Sequence, residues 1–236
     1  FETVDASEAT GDWIHARGLL PVPDGAAKLG LALYGADNQR TWYDDVALLG
    51  TPTHQAVGST PEIDGRLDDP CWDHRWAIDQ FALHTGEGLP AQQPRAWVAY
   101  NDFHLFLAFK CPHPPSADLK LDAIEHDGDV WLDDSVEVFI DPWNAHGDYF
   151  QLCVNAAGVL RDTRGKDNTW QSGAEVAVSR MADHWSVEIA VPFEALTPDM
   201  RSGEQWGMNF VRNDRTREET ATWSLGGFHD ASRFGD

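Results

Sequence analysis

Hydrophobic and polar positions alternate along most of the chain, and the clearest alternation lies in its middle, over residues 135 to 141. One face of this segment would carry Val136, Val138 and Ile140. The opposite face would carry Ser135, Glu137 and Phe139. A two-residue period of this kind predicts a half-buried strand. The strand would carry the carboxylate of Glu137 on its outer face.

The same alternation predicts eight further strands after residue 62. Turn residues separate neighbouring strands at Asn101-Asp102, at 156–158 and at Asp183-His184. The predicted strands span residues 95–100, 103–109, 149–155, 159–162, 175–179, 185–191, 206–212 and 220–224. Residues 192–196 predict one short helical turn, and no window has a sustained helical period. Many short strands with frequent turns predict an all-β fold, an antiparallel, jelly-roll-like β-sandwich.

Residues 1–50 predict three strands, which are too few for a domain. Residues 51–61 are small, polar and rich in Pro and Gly, which is typical of a linker, and the composition changes at Glu62. We therefore expect a partial β-sandwich over residues 1–50, a linker over 51–61 and a second β-sandwich over 62–236. Because the chain starts at Phe1, we expect it to be a piece of a longer protein or a processed product.

The net charge of the chain limits the classes of partner that it can bind. The 236 residues include 39 acidic and 17 basic ones, for a formal net charge of -22. This charge excludes nucleic acid and anionic membrane as partners, because both require a cationic surface. No apolar run is long enough to insert into a membrane. A neutral ligand is compatible with the charge, although acidity also serves simply to keep an exported protein soluble.

The three cysteines, Cys71, Cys111 and Cys153, form no CxxC pair and have no zinc-type spacing with histidine. We therefore expect no structural zinc. One disulfide and one free thiol stay open as an alternative in an oxidising compartment.

The candidate chemistry lies around the central strand. Trp131 offers a flat apolar face, and Glu137 offers a fixed hydrogen-bond acceptor, a pair that suits a sugar ring. Six residues span about 20 Å in an extended chain, so the loop must fold back over the sheet for both to reach one ring. The alternative is an ordinary strand with a packing Trp and a surface Glu. On the next strand, alternation places Gln151, Cys153 and Asn155 on one face.

Six segments, in this order, resemble the family 9 carbohydrate-binding modules over nearly all of residues 62–236. They are Ile63-Asp-Gly-Arg-Leu-Asp-Asp-Pro-Cys-Trp72, Trp131-Leu-Asp-Asp-Ser-Val-Glu-Val-Phe-Ile-Asp141, Tyr149-Phe-Gln-Leu-Cys-Val-Asn155, Trp185-Ser-Val-Glu-Ile-Ala-Val-Pro-Phe193, Trp206-Gly-Met-Asn-Phe210 and Ser232-Arg-Phe-Gly235. Residues 1–50 resemble the closing strands of jelly-roll carbohydrate-binding modules found beside glycosidases. The resemblance also implies one more strand after residue 235.

The resemblance implies a site in which two aromatic residues clamp a terminal sugar. Trp131 matches the first aromatic and Phe228 the second, Glu137 matches the acidic acceptor, and Asn155 matches the amide. Gln151 joins this set because it shares the strand face of Asn155. Cys153 stands where the family has an arginine, and a thiol cannot make the forked hydrogen bonds of a guanidinium.

The function implied by the resemblance is non-catalytic binding of an oligo- or polysaccharide, such as xylan. The module would hold a glycoside hydrolase, a catalytic domain in the same parent chain, near its substrate. Such a protein would be secreted, extracellular or periplasmic. The alternative is a structural or interaction module that has lost sugar binding, and its sign would be a Trp131 side chain buried under its own loop.

The loop before the central strand is acidic and raises the question of calcium. Its carboxylates are Glu125, Asp127, Asp129, Asp133 and Asp134. Their spacing does not fit an EF-hand, but the resemblance implies that structural calcium can be present. The alternative is a solvated acidic loop without metal.

Two further classes of function have weaker support in the sequence. Asp133 and Glu137 could in principle form the acid and base pair of a glycosidase, but no catalytic sequence motif surrounds them. A haem-binding or other small-molecule sandwich lacks an evident Met/His ligand pair. Trp143 and Trp170 lie in predicted loops and are kept as additional sugar platforms.

Overall fold

The structure is a computed structural model, and it describes residues 54–86, 88–115, 118–197, 205–225 and 229–235. The predicted N-terminal strands over residues 1–50, the first part of the predicted linker, and Phe228 lie outside the described residues. The predicted division of the chain into three parts therefore stays a prediction.

The described residues form eleven strands in two sheets. The strands are β1 (Val57–Gly58), β2 (Ala82–Leu83), β3 (Arg95–Tyr100), β4 (His104–Pro112), β5 (Ser135–Asp141), β6 (Phe150–Asn155), β7 (Leu160–Arg164), β8 (Glu175–Arg180), β9 (His184–Pro192), β10 (Gly207–Asp214) and β11 (Glu219–Thr222). The first sheet has the order β1-β3-β4-β9-β8, and the second has the order β2-β11-β10-β5-β6-β7. All neighbours are antiparallel except β1 and β3, which pair in parallel.

The predicted all-β sandwich is confirmed, and each predicted strand after residue 62 has a counterpart. The two shortest strands, β1 and β2, were missed because two residues cannot establish an alternation. The helical turn predicted near residue 193 is an α-helix of four residues (Phe193–Leu196), and 3₁₀ turns cover Pro70–Trp72, His74–Trp76, Val130–Leu132 and Ala231–Arg233. No helix of the described residues is long and apolar enough to cross a membrane.

The main hydrophobic core lies between the two sheets. As predicted, Val136, Val138 and Ile140 point into it from β5, and Phe150, Leu152 and Val154 join them from β6. Both sets have period two, so burying one set leaves the other on the outer face of the second sheet. The core thereby fixes which side chains form that outer face.

The prediction that β5 is half-buried is wrong, because all seven of its residues are buried. At Phe139, the outer face of β5 is covered by the chain that returns near the C-terminal end. Phe139 forms a second apolar cluster with Val211, Ala231 and Phe234, against which Tyr149 packs. Alternation shows which face of a strand is apolar. It does not show whether a segment about 90 residues away packs over the other face.

The outer face of the first sheet is closed by the segment around Gly65, which a buried carboxylate holds. Glu188 accepts hydrogen bonds from the indole of Trp72 at 2.7 Å and from the backbone N–H groups of Asp64 at 3.0 Å and Gly65 at 2.7 Å. Its burial raises the pKa of this carboxyl. Two of the motif segments, the one that contains Gly65 and Trp72 and the one that contains Glu188, thus meet on the outer face of the first sheet.

Candidate functional site on the outer face of the second sheet

One cross-strand row on the outer face of the second sheet contains the predicted acceptor. Glu137 on β5 is the register partner of Val211 on one side and of Cys153 on the other. Cys153 is in turn the register partner of Arg161 on β7. Adjacent strands lie about 4.8 Å apart, so Glu137 and Arg161 stand about 10 Å apart on the same face.

The Glu137 carboxylate is held by two amides. Gln151 donates to one carboxylate oxygen at 2.6 Å, and Asn213 donates to the other at 2.7 Å. Glu137 is 5% exposed, while Gln151 is half-buried. The two amides fix the carboxylate as an acceptor, and the structure therefore brings two predicted site residues, Glu137 and Gln151, into direct contact.

Trp131 lies in the 3₁₀ turn Val130–Leu132 and is half-buried. The guanidinium carbon of Arg161 lies 4.7 Å from the centre of its ring, a cation–π contact. Arg215 donates a hydrogen bond to the carbonyl oxygen of Trp131. Arg161 stands on the outer face of β7, so the loop does fold back over the sheet, as its length required.

Two buried carboxylates shape this loop. Asp133 accepts from the backbone N–H groups of Asp122 and Ala123, each at 2.9 Å. Asp134 accepts from those of Lys120 at 2.7 Å and Arg215 at 3.1 Å. Burial raises the pKa of the Asp134 carboxyl. Both groups therefore hold backbone rather than facing a ligand.

Asn155 is fully buried, and its amide is engaged within the chain. Its nitrogen donates to the carbonyl oxygen of Ala123 at 3.1 Å and to Asp133 at 2.9 Å. Its oxygen accepts from the backbone N–H groups of Ala157 and Val159. Asn155 thus links the loop to the turn between β6 and β7, on the far side of Cys153 from Gln151.

The expected second aromatic, Phe228, lies outside the described residues, but the residue that follows it in the chain is described. The Nδ1 atom of His229 lies 2.9 Å from the Tyr149 hydroxyl, and its ring meets that of Phe139 edge-on at 5.2 Å. Phe139 is the register partner of Gln151. The chain next to Phe228 therefore lies beside Gln151, while Trp131 approaches from the β7 side.

Arg161 is a candidate site residue that sequence reasoning missed. Besides its contact with Trp131, its Nη1 donates to the carbonyl oxygen of Asp127 at 2.8 Å. The three-residue turn predicted at 156–158 was the available signal, because a hairpin closed there aligns residue 153 with residue 161. The guanidinium of Arg161 thus lies one strand away from Cys153, the position at which the family has an arginine.

The cysteines form no disulfide, so the alternative of one bridge and one free thiol is wrong. All three are free and buried. Burial raises the pKa of Cys111 to about 12 and that of Cys153 well above its usual range, with the Glu137 charge adding to the effect on Cys153. Cys153 is thus a neutral thiol beneath the site.

The five carboxylates considered for calcium separate in the structure. Asp133 and Asp134 bind backbone, and Glu125 and Asp129 are exposed. Asp127 instead meets two residues outside that set, His126 and Asp162. Structural calcium and a solvated acidic loop without metal therefore both stay open as predictions for these five.

The two additional aromatic platforms differ in exposure. Trp170 packs on Phe150, with ring centres 4.7 Å apart, and belongs to the edge of the core. Trp143 is 47% exposed, with Arg164 above its ring at 5.6 Å. Trp143 alone of the pair keeps a large accessible surface.

Comparison with known families gives one match. Residues 63–236 match the family described as carbohydrate family 9 binding domain-like. This match covers strands β2 to β11 and begins one residue after the boundary predicted at Glu62. No curated protein matches the chain.

Solved structures show the same fold at low identity. A carbohydrate-binding module of family 9 from Caldicellulosiruptor kristjanssonii, solved in complex with cellotriose, is 17% identical, with a TM-score of 0.56 over 78% of this chain and 91% of that one. A complex of a family 9 module from the same organism with glucose has 17% identity and a TM-score of 0.54, and covers 76% of this chain and 91% of that one. A protein from Bacteroides uniformis ATCC 8492 is 19% identical, with a TM-score of 0.54 over 66% of this chain and 84% of that one.

Proposed function

Because this chain belongs to the carbohydrate family 9 binding domain-like family, we propose that it binds the terminal sugar of a glycan without catalysis. The ligand would lie on the outer face of the second sheet, between Trp131 and His229. Neutral sugars suit a chain of net charge -22, since they suffer no repulsion from it.

The observation that carries this proposal is the Glu137 carboxylate held by Gln151 and Asn213 on the same face as the Trp131 and Arg161 pair. A sugar ring needs an apolar platform for its C–H face and fixed polar groups for its hydroxyls. Trp131 would supply the platform, and Glu137 and Gln151 would supply acceptors and a donor. Asn155 would act through the loop that it holds, because its own amide is already satisfied.

Arg161 would supply the guanidinium that Cys153 cannot. Its contact with Trp131 holds it at the rim of the site. Its Nη1 donates to the Asp127 carbonyl oxygen and its Nη2 to Asn168 at 3.2 Å, which together use two of its five N–H donors. Charge-assisted bonds from guanidinium to sugar hydroxyls would then come from β7 rather than from β6. The site would thus keep a guanidinium as hydrogen-bond donor to the sugar, although this group would reach the sugar from a different strand.

We further propose that this binding holds an attached glycoside hydrolase near its polysaccharide in a secreted or periplasmic protein. Tethering of this kind raises the local concentration of substrate without any new contact at the catalytic site. Glucan and xylan are the first candidates. The glucan is suggested by the cellotriose and glucose in the complexes of the similar modules.

A second candidate function is an interaction module without a sugar ligand. Two observations favour it: the Glu137 oxygens already have partners, and Arg161 covers one face of the Trp131 ring. In this case the same groups would simply stabilise the loop over the sheet.

Calorimetric titration of the full chain with gluco- and xylo-oligosaccharides separates these candidates. Saturable heat, with one sugar site per chain, is the outcome expected of the binding module. Weak affinity is expected, because an exposed platform buries little area. A folded protein that gives flat traces with both sugar series would contradict the proposal and favour the interaction module.

A further inference from the structure

Three side chains with metal-binding atoms meet where the loop before β5 crosses the edge of β7. They are His126, Asp127 and Asp162, and their ligand atoms all lie within 4.8 Å of one another. His126 and Asp127 come from the loop and Asp162 from β7. Among the described residues, no other cluster of three such side chains is found.

The buried carboxylate of Asp162 is the unusual member of this group. Its Oδ2 accepts the backbone N–H of Ser172 at 2.6 Å. Its Oδ1 is buried and has no hydrogen-bond partner among the described residues, and the whole residue is only 1% exposed. Burying a carboxylate oxygen without a partner raises the free energy of the folded protein, so a cation or a hydrogen-bond donor at this atom would be stabilising.

The distances fit a small cation. The Nε2 atom of His126 lies 3.5 Å from Oδ1 of Asp162 and 3.5 Å from Oδ2 of Asp127. Ligands placed 2.0–2.2 Å from a tetrahedral zinc ion are separated by about 3.4 Å. The three atoms therefore need only small movements to become neighbouring ligands of one ion.

Gln171 bridges the two loop residues on the open side of the cluster. Its side-chain oxygen lies 2.8 Å from Nε2 of His126, and its nitrogen donates to Asp127 at 3.0 Å. Gln171 is exposed and can rotate away or offer its oxygen as a fourth ligand. Access from solvent is thus compatible with the burial of Asp162.

We propose that His126, Asp127 and Asp162 form a binding site for a first-row divalent transition metal, with zinc as the probe. An imidazole ligand favours zinc or its neighbours, whereas calcium takes oxygen ligands alone. The ion would pair with Oδ1 of Asp162 and join the loop to the edge of β7. This proposal stands apart from sugar binding, since none of the three side chains belongs to the proposed sugar site.

The competing explanation is that a protonated His126 is itself the cation for the two carboxylates. This arrangement requires no metal and predicts no saturable zinc binding. The two explanations therefore differ in a direct measurement.

The experiment is a calorimetric titration of the metal-free full chain with Zn²⁺, after removal of any polyhistidine tag. We expect saturation near one ion per chain and a rise in melting temperature. His126→Ala and Asp127→Asn should each weaken binding by at least the 10- to 100-fold known for outer-shell partners of metal sites. Asparagine suits the left-handed backbone of Asp127, at φ 62°, so this variant keeps the loop conformation.

His74→Ala is the matched control, because His74 is an exposed histidine outside the cluster. Its zinc binding should equal that of the wild type. Asp162→Asn provides a third test if it folds. The proposal is overturned if zinc binding is absent, if it is unchanged in His126→Ala and Asp127→Asn, or if Ca²⁺ binds the cluster while Zn²⁺ does not.

Discussion

The guanidinium of Arg161 lies 4.7 Å from the centre of the Trp131 ring, and Arg161 is the register partner of Cys153 on the next strand. This relationship joins the predicted aromatic platform to the one position where the expected arginine is missing. It also explains how a loop of acidic residues is held against the outer face of a sheet.

Replacing Trp131 by alanine should abolish or severely weaken sugar binding. Loss of a central aromatic contact typically costs at least about 2 kcal/mol, or roughly 30-fold in affinity. Trp131 is half-buried at the surface, so the fold should persist. Retardation of the protein in glycan-containing native gels measures the effect. Trp143→Ala, which removes a more exposed indole elsewhere, is the control, and unchanged retardation of Trp131→Ala would exclude Trp131 as the platform.

Replacing Arg161 by alanine should weaken sugar binding by about 10-fold, the lower end of what a hydrogen bond from a charged group contributes. Arg161→Lys should recover only part of this loss, because an ammonium keeps the charge but not the fork. Arg164→Ala is the matched control, since Arg164 lies on the same strand above Trp143. If Arg161→Ala binds sugar as the wild type does, Arg161 only stabilises the loop.

Gly65 should tolerate no side chain. Its φ is 83°, and a methyl group added there would lie 2.7 Å from the carbonyl carbon of Val178. Gly173 has a comparable φ of 64° but no atom within 4 Å of such a methyl group. Gly65→Ala should therefore lower the free energy of unfolding by about 2 kcal/mol more than Gly173→Ala does. Denaturant unfolding measures both, and equal losses would show that the backbone of Val178 moves aside freely.

The three thiols should resist modification in the native protein at pH 8. All are buried, and burial raises the pKa of Cys111 to about 12 and that of Cys153 well above its usual range. Since the thiolate is the reactive form, reaction requires unfolding. An aromatic disulfide reagent should release three equivalents of chromophore per chain in denaturant and almost none without it. Rapid reaction of one native thiol would show an accessible cysteine.

Alternation in the sequence predicted the strands and the inward faces of β5 and β6 because a single buried core imposes a two-residue period on both. For Trp131 and Glu137 to reach one sugar ring, the loop had to fold back over the sheet, and the contact of Trp131 with Arg161 shows that it does so. The same pattern could not assign roles within a face. Gln151 and Asn155 share a face of β6, but Gln151 holds Glu137, whereas Asn155 is consumed by the loop at Ala123 and Asp133.

The motif segments likewise identify the fold without assigning the residues of the candidate site. Gly65, Trp72 and Glu188 carry much of the family resemblance, yet they meet on the first sheet, away from the candidate site. A motif can therefore identify a fold through its scaffold while the ligand contacts change. The replacement of an expected arginine by Cys153, with Arg161 beside it, is a change that only the register between β6 and β7 makes visible.

The most direct test of the central claim is a ¹H–¹⁵N spectrum of the indole N–H groups during titration with cellotriose and xylotriose. The Trp131 signal, assigned by its loss in Trp131→Phe, should shift progressively and saturate. The signals of the buried Trp72 and Trp185 should stay in place. A shift of Trp143 with Trp131 unmoved would contradict the site on the outer face of the second sheet, and no shift of any indole would contradict sugar binding by this module.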